Sequence, residues 1–502
     1  MRKPYCFALL LFFCLAAIAQ KNTTKISTAT RFDNYIQHAL PLWKTPGLSV
    51  VVVKDNEVVF KKGYGVRELG KPDSFSTSTI AICASTTKAM TAVCMGILVD
   101  EGKVKWTDKL SDVYPELKMY DQYVNSELII KDLFTHNAGL GNADLLWAFN
   151  YSTDSIIQKV RYMPPAYTYH SSFVYQNIMY IIAGEVIHKL SGKPWQQFIT
   201  ERLFQPLGMT NTYASYELSA TNTNRITPHF MYPDSVVKTI PYISYKAVGP
   251  AGGVWSCADD INKWARFILD STRINGKQLL KPQTYSLLFK PASIVTESEF
   301  YPTAKLTKPH WTTYGLGWFQ EDYQGKAVQF HTGSLEGAVA ILGLIPDDHF
   351  GIYIFANLDH TELRHALMYK AMDLWVFNND SRDWSTDFYN LYTGLAEEGK
   401  KAEKAAEARR VLQTKPSLRL AEYAGKYNHD IYGNADIVLQ GDSLVAKFPG
   451  NINVFLSHWN YDTFQGKFER EWNGKDLLPF NLNNSGKVKS FEFFGVTWAR
   501  KE

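Results

Sequence analysis

The sequence predicts two folded units: an α/β (α+β) unit, with an antiparallel sheet flanked by helices and a helical subdomain, and a small all-β unit after it. Three observations predict them. Apolar hairpin strands stand near the start and again after residue 314, the stretch from about 141 to 240 carries helical periodicity among Tyr-, Asn- and Pro-rich loops, and beyond Pro416 the chain turns to short alternating strands. With 502 residues, 45% hydrophobic and 14% aromatic, the chain is long enough for two or three domains and a large core. Its formal charge of +4 is small and its lysines and arginines are scattered, so nothing suggests a nucleic-acid partner.

At the start, Arg2 and Lys3 precede the apolar run Phe7 to Ile18, and Ala17-Ile18-Ala19 before Gln20 has the small-x-small form of a secretory cleavage site. The expectation is a signal peptide over 1–19, export to the periplasm or medium, and no stable membrane span after cleavage, the run being short of the ~18 to 20 residues that cross a bilayer. Cys14 follows Phe12 and Phe13, which disfavours it as a lipid-attachment site. Cys6 and Cys14 would leave with the peptide. Cys83, Cys94 and Cys257 remain, an odd number without metal-ligand spacing, and read as buried packing residues; neither a metal nor a cofactor is expected.

In the first folded unit (20–385), Gly47 to Val53 is a buried strand, Asp55-Asn56 a turn and Glu57 to Phe60 its partner. After Ser76-Thr77-Ser78-Thr79, the run through Ala89, Ala92, Val93 and Ile97 is helical and ends near Glu101-Gly102-Lys103. Ser85 and Lys88 stand at its start, three residues apart and so on one face, where free N–H groups favour negative charge. A poorly nucleophilic hydroxyl thereby gains an amine that can take its proton. The second Ser-x-x-Lys spelling, Ser235 to Lys238, follows Pro233-Asp234 and reads as turn and extended chain.

Ile130 to Leu140 is a helix stopping at a glycine turn, with His136 read as a histidine bonding loop backbone rather than as a base. Tyr175-Gln176-Asn177 opens the helix carrying Ile178, Ile181, Ile182 and Val186, so Tyr175 and Asn177 can face a cleft. Pro250 to Ser256 is a small-residue turn into a helix from Ala258 to Leu269, whose Asp259 and Asp260 complement the helix dipole. From Tyr314 the chain reads as strands: Lys326 to Phe330, then His331-Thr332-Gly333-Ser334, then Ala338 to Leu344 and Phe350 to Phe355. His360 and His365 lie on different helix faces and make no metal motif. A charged linker helix is expected within 386–416. The β unit (417–502) turns at Gly441-Asp442, Asn473-Gly474 and Asn484-Ser485-Gly486, and its aromatics, Tyr423, Tyr427, Trp459, Trp472 and Trp498, read as core.

Ser-x-x-Lys at 85, Tyr-x-Asn at 175 and His-Thr-Gly at 331, in that order, carry a resemblance to the serine β-lactamase and penicillin-binding protein superfamily, in its class C-like branch of esterases, D-peptidases and related hydrolases. Pro46-Gly47, Gly63-Tyr64-Gly65, Thr135 to Leu140, Pro206 to Thr210 and Pro250 to Gly253 resemble recurrent segments of the same family. The resemblance implies the β-lactamase/DD-peptidase fold and an acyl-enzyme on Ser85. It implies that Lys88 and Tyr175 handle the proton, with Lys88 favouring the Tyr175 phenolate. Asn177, His331, Thr332 and Gly333 would bind substrate, and the backbone N–H groups of Ser85 and Ser334 would form the oxyanion hole. His331 stands where relatives usually carry lysine, and an imidazole holds a carboxylate less firmly than an ammonium. That favours an ester, amide or D-residue peptide, with β-lactamase or DD-carboxypeptidase activity as the alternative. The β unit resembles the lipocalin-like appendage of many such hydrolases. A binding or sensing protein on a retired hydrolase scaffold is the other class of reading, set against the presence of all four polar residues Ser85, Lys88, Tyr175 and Asn177.

Overall fold

The computed structural model describes residues 26–501; the expected signal peptide lies outside them. A first helix, α1 (Thr28–Trp43), leads into β1 (Gly47–Lys54) and β2 (Glu57–Gly65). Asp55 and Asn56 join the two strands with φ of 51° and 63°, the paired left-handed geometry that suits strand twist. Next come α2 (Thr87–Asp100), the helical region with α3 (Ile178–Ser191), and α4 (Ala258–Leu269). The sheet is completed by β3 (Ser293–Ile294), β4 (Thr312–Tyr314), β5 (Phe319–Tyr323), β6 (Lys326–Leu335), β7 (Ala338–Ile345) and β8 (Phe350–Ala356). Helices α5 (Leu363–Trp375) and α6 (Trp384–Ala408) follow, the latter a 25-residue rod whose C-terminal half is exposed.

The eight strands run antiparallel in the order β2-β1-β8-β7-β6-β5-β4-β3. Successive side chains of β1 point to opposite faces. Val50 and Val52 pack with Phe32, Ile36 and Leu367 of α1 and α5, while Val51 and Val53 join the core of Met90 and Ile261 from α2 and α4. Being covered on both sides, β1 carries an unbroken apolar run instead of an alternation.

One irregularity of pairing positions the site. Strand β6 pairs with β5 only through Phe330, but continues along β7 to Leu335. His331 to Ser334, read from sequence among the strands, continue β6 without a break, with one edge released from β5. The start of α2 lies against that edge.

The β unit is a closed barrel of β9 (Gly425–His429), β10 (Gly433–Gln440), β11 (Ser443–Phe448), β12 (Ile452–Asn460), β13 (Thr463–Phe468), β14 (Lys475–Leu482), β15 (Val488–Phe493) and β16 (Val496–Arg500), closed by Tyr427 opposite Arg500. Rings fill its interior: Tyr427 lies 4.9 Å from Phe491, which lies 6.0 Å from Trp498. Tyr423, Tyr427 and Trp498 are core residues, whereas Trp459 and Trp472 are only part-buried. Cys83, Cys94 and Cys257 are free and buried. Among the described residues no helix is long and apolar enough to cross a membrane.

Candidate active site

Ser85 sits in a single 3-10 turn, Ala84–Thr86, that runs straight into α2. The sequence placed it in the first turn of the helix itself. Ala84 before it has φ of 44°, a left-handed conformation costing about 1–2 kcal/mol for a residue with a Cβ. The strain is held by close packing on both sides. At Gly333 of β6 a Cβ would fall 2.5 Å from the Cys83 carbonyl oxygen and 2.8 Å from the Ser85 nitrogen. Only a glycine lets the strand edge come this close to the serine.

Lys88 is fully buried one turn on, its side chain beside that of Ser85 as the spacing requires. Its Nζ lies 3.2 Å from Ser85 Oγ and donates to Asn177 Oδ1 (2.7 Å) and to the carbonyl of Ala251 (2.9 Å). Ala251 belongs to the small-residue turn before α4, and Asn177 is the residue that starts α3. Asparagine at a helix start ordinarily caps the helix with its side chain; here it makes no cap bond and bridges Lys88 and Asp144. Both Asp144 carboxylate oxygens accept from Asn177 Nδ2, each at 3.1 Å.

Burial pushes the Lys88 amine down to about 7, against the opposing pull of the Asp144 charge. The amine lies 4.8 Å from the Tyr175 ring centroid and 5.2 Å from that of Tyr180, over the faces of the rings. Tyr175 is pushed well above the ordinary phenol range, by burial first, although the neighbouring Ser85 hydroxyl pulls it the other way. The expectation that Lys88 would hold Tyr175 as phenolate is therefore corrected. Desolvation disfavours both charged forms, the ammonium of Lys88 and the phenolate of Tyr175.

The third motif also departs from expectation. His331 is 1% exposed. Its Nδ1 lies 2.6 Å from the Thr332 carbonyl, an acceptor, so Nδ1 carries the proton and Nε2 accepts from the Tyr314 hydroxyl at 3.0 Å. Burial, then the Lys88 charge, push this imidazole down to about 3. With both nitrogens engaged and the ring buried, His331 offers no free nitrogen to a substrate, against the expectation of a substrate ligand; its ring lies 6.1 Å from that of Tyr175. His136, buried, accepts the Gln176 N–H at Nδ1 (3.1 Å) and fixes the turn that carries Tyr175.

Thr332 and Ser334 lie on the other face of β6. Tyr301 and Thr332 share a hydroxyl–hydroxyl bond of 2.6 Å. Arg364, buried on α5, donates from Nη1 to the Gly333 carbonyl (2.7 Å) and to Ser334 Oγ (2.8 Å). Glu362 accepts from its Nε and Nη2 and from His365 Nδ1. Despite burial, Arg364 and His365 hold Glu362 down at about 2. The structure thus joins Ser85, Lys88, Tyr175, Asn177 and the 331–334 edge at one place. Asp144, Arg364, Tyr301 and Tyr314 carry no sequence signal of a place here, since none stands at a fixed spacing from a motif.

The family model described as Beta-lactamase matches residues 32–374, and that of a Domain of unknown function (DUF3471) matches 409–501. Unguisins hydrolase ungD' of Aspergillus campestris is 26% identical over 424 residues, spanning 81% of this chain and 77% of its own. Protein flp of Staphylococcus aureus is 25% identical over 337 residues, 66% of this chain and 63% of its own. Among solved structures, the octameric penicillin-binding protein homologue from Pyrococcus abyssi aligns with a TM-score of 0.63 at 18% identity, covering 94% of this chain and 99% of that one. SurE aligns with a TM-score of 0.56 at 17% identity, covering 94% and 98%. At those identities the structural likeness establishes the fold alone.

Proposed function

We propose, from the premise that this chain belongs to the β-lactamase family and is a serine hydrolase, that it is exported and cleaves an ester, an amide or a D-residue peptide through an acyl-enzyme on Ser85. The observation that carries the reading is the coordination of Lys88. Two of its N–H bonds are fixed on Asn177 Oδ1 and the Ala251 carbonyl, so the lone pair of the neutral amine is left facing Ser85 Oγ at 3.2 Å. Ser85 Oγ attacks the substrate carbonyl carbon while its proton passes to Lys88 Nζ. The oxyanion is met by the N–H groups of Ser85 and Ser334, worth roughly 3 kcal/mol each because they act only once charge develops. The leaving oxygen or nitrogen departs with a proton delivered from Lys88 by way of the neutral Tyr175 phenol, and water then cleaves the ester on Ser85. The free edge of β6 at Thr332 lines the extended substrate, and the second N–H of Asn177 Nδ2 meets its carbonyl.

Substrate class follows from charge. His331 supplies no cation where a β-lactam carboxylate would need one, which favours neutral acyl donors. Export rests on the leader-like sequence of residues 1–19 alone. A fluorophosphonate probe is expected to label the purified protein at Ser85 and to leave Ser85→Ala unlabelled; equal labelling of the two would refute the mechanism. Rapid turnover of a chromogenic cephalosporin would overturn the substrate preference.

A further inference from the structure

We propose that Asp144 is a positioning residue for the Lys88–Asn177 pair, and that the C-terminal barrel holds it there through Phe149 and Tyr151. The proposal rests on Ser85 and Lys88 acting as described above.

An asparagine amide can point either way. With both oxygens of Asp144 on Asn177 Nδ2, the amide oxygen must face Lys88, where it accepts at 2.7 Å. Without the carboxylate, the flipped amide would set a donor against a donor. Asp144 is itself braced: its N–H donates to Asn142 Oδ1 (2.9 Å), and Asn142 Nδ2 reaches Asp144 Oδ2 (3.3 Å) and the Tyr175 carbonyl (3.4 Å). One small network therefore sets the base, its amide partner and the phenol's backbone. The groups acting on Lys88 are the Ser85 hydroxyl, the Tyr175 and Tyr180 phenols, the neutral rings of His136 and His331, and Asp144, the carboxylate whose charge opposes the effect of burial.

Asp144 opens the helical turn Leu145–Ala148, closed by bonds from the Ala148 and Phe149 N–H groups to the Asp144 and Leu145 carbonyls (2.9 Å each). At the far end of that turn the barrel takes hold. Phe149 is 2% exposed and packs 5.8 Å from Phe448, 5.8 Å from Phe494 and 6.3 Å from Trp498. The Tyr151 hydroxyl donates to the Tyr432 carbonyl at 2.9 Å. Gly450, at φ of 74° in the turn between β11 and β12, lies so close that a Cβ would sit 2.9 Å from the Phe149 carbonyl carbon and oxygen. A single rigid turn thus joins a barrel contact to a carboxylate of the catalytic network.

The test uses the full-length protein, a chromogenic ester and melting curves for every variant. Fluorophosphonate labelling of wild type at Ser85 comes first, and its absence would count against the underlying mechanism alone. Asp144→Asn, isosteric and partly exposed, is expected to melt like wild type and to lose about 10²-fold in kcat with little change in KM. Its acid limb in kcat/KM should move to lower pH, because a neighbour that raises the amine's affinity for protons is gone; Asp144→Glu should return the limb toward wild type. Gly450→Ala, with Tyr151→Phe as the milder probe should the first not fold, is expected to lower kcat in wild type and to add nothing in the Asp144→Asn background. A wild-type kcat or an unmoved limb in Asp144→Asn overturns the positioning role. Barrel variants that fold and keep full kcat, or whose effect multiplies with that of Asp144→Asn, overturn the link to the barrel.

Discussion

Hydrolysis should die away as the pH is lowered through about 7, and the group responsible should be an amine. An ordinary lysine, near 10.5, is neutral in only about 0.03% of molecules at pH 7; Lys88, pushed down to about 7 by burial, is neutral in about half of them. The difference corresponds to about 5 kcal/mol between its two protonation states, and to roughly a 10³-fold gain in competent base. In the free enzyme kcat/KM should then fall tenfold for each pH unit below about 7 and level off above it. Steady-state hydrolysis of a chromogenic ester from pH 4.5 to 9.5, in a buffer series of constant ionic strength, reads both regions. Lys88→Arg, whose guanidinium stays charged throughout, should lose at least about 10³-fold with no recovery at high pH. Tyr175→Phe should keep the limb near 7 while losing rate. A limb that vanishes in Tyr175→Phe, or that lies above pH 9 in wild type, would refute the assignment of Lys88 as base.

Two further outcomes concern the scaffold. Glu321 is buried between the sheet and α5 and raised by burial to about 7, with the Tyr369 and Thr307 hydroxyls as its partners. Its raised affinity for protons stabilises the fold fully below the unfolded carboxyl value near 4.5 and is lost as pH rises through 7, a change of about 3 kcal/mol. Glu321→Gln should accordingly flatten the fall in melting temperature between pH 5 and 8, and an unchanged slope would count against it. Gly333→Ala drives a Cβ to 2.8 Å from the Ser85 nitrogen. It should cut kcat by about 10²-fold or more while costing roughly 1–3 kcal/mol of stability, so a fully active variant would show that the strand edge stands farther from the serine.

The linear chain set much of this in advance. The apolar run Val50 to Val53, the Asp55-Asn56 turn and the short alternating segments after Pro416 carry local signals strong enough to name their elements. Ser85 and Lys88 needed only helical spacing to share a face. The order of Ser-x-x-Lys, Tyr-x-Asn and His-Thr-Gly pointed to residues that do converge.

What folding alone decided was electrical and long-range. No spacing tells that Lys88 loses all contact with water, and that loss, rather than the residue type, lowers its amine and raises the Tyr175 phenol. His331 looked like a ligand because of the motif it opens; the Tyr314 hydroxyl, 17 residues away in the chain, occupies its second nitrogen. Asp144 reaches Asn177 across 33 residues and Arg364 reaches Gly333 across 31. Such contacts depend on how distant segments stack against one another, and a sequence records which side chains are available, not the depth or the company in which they come to rest.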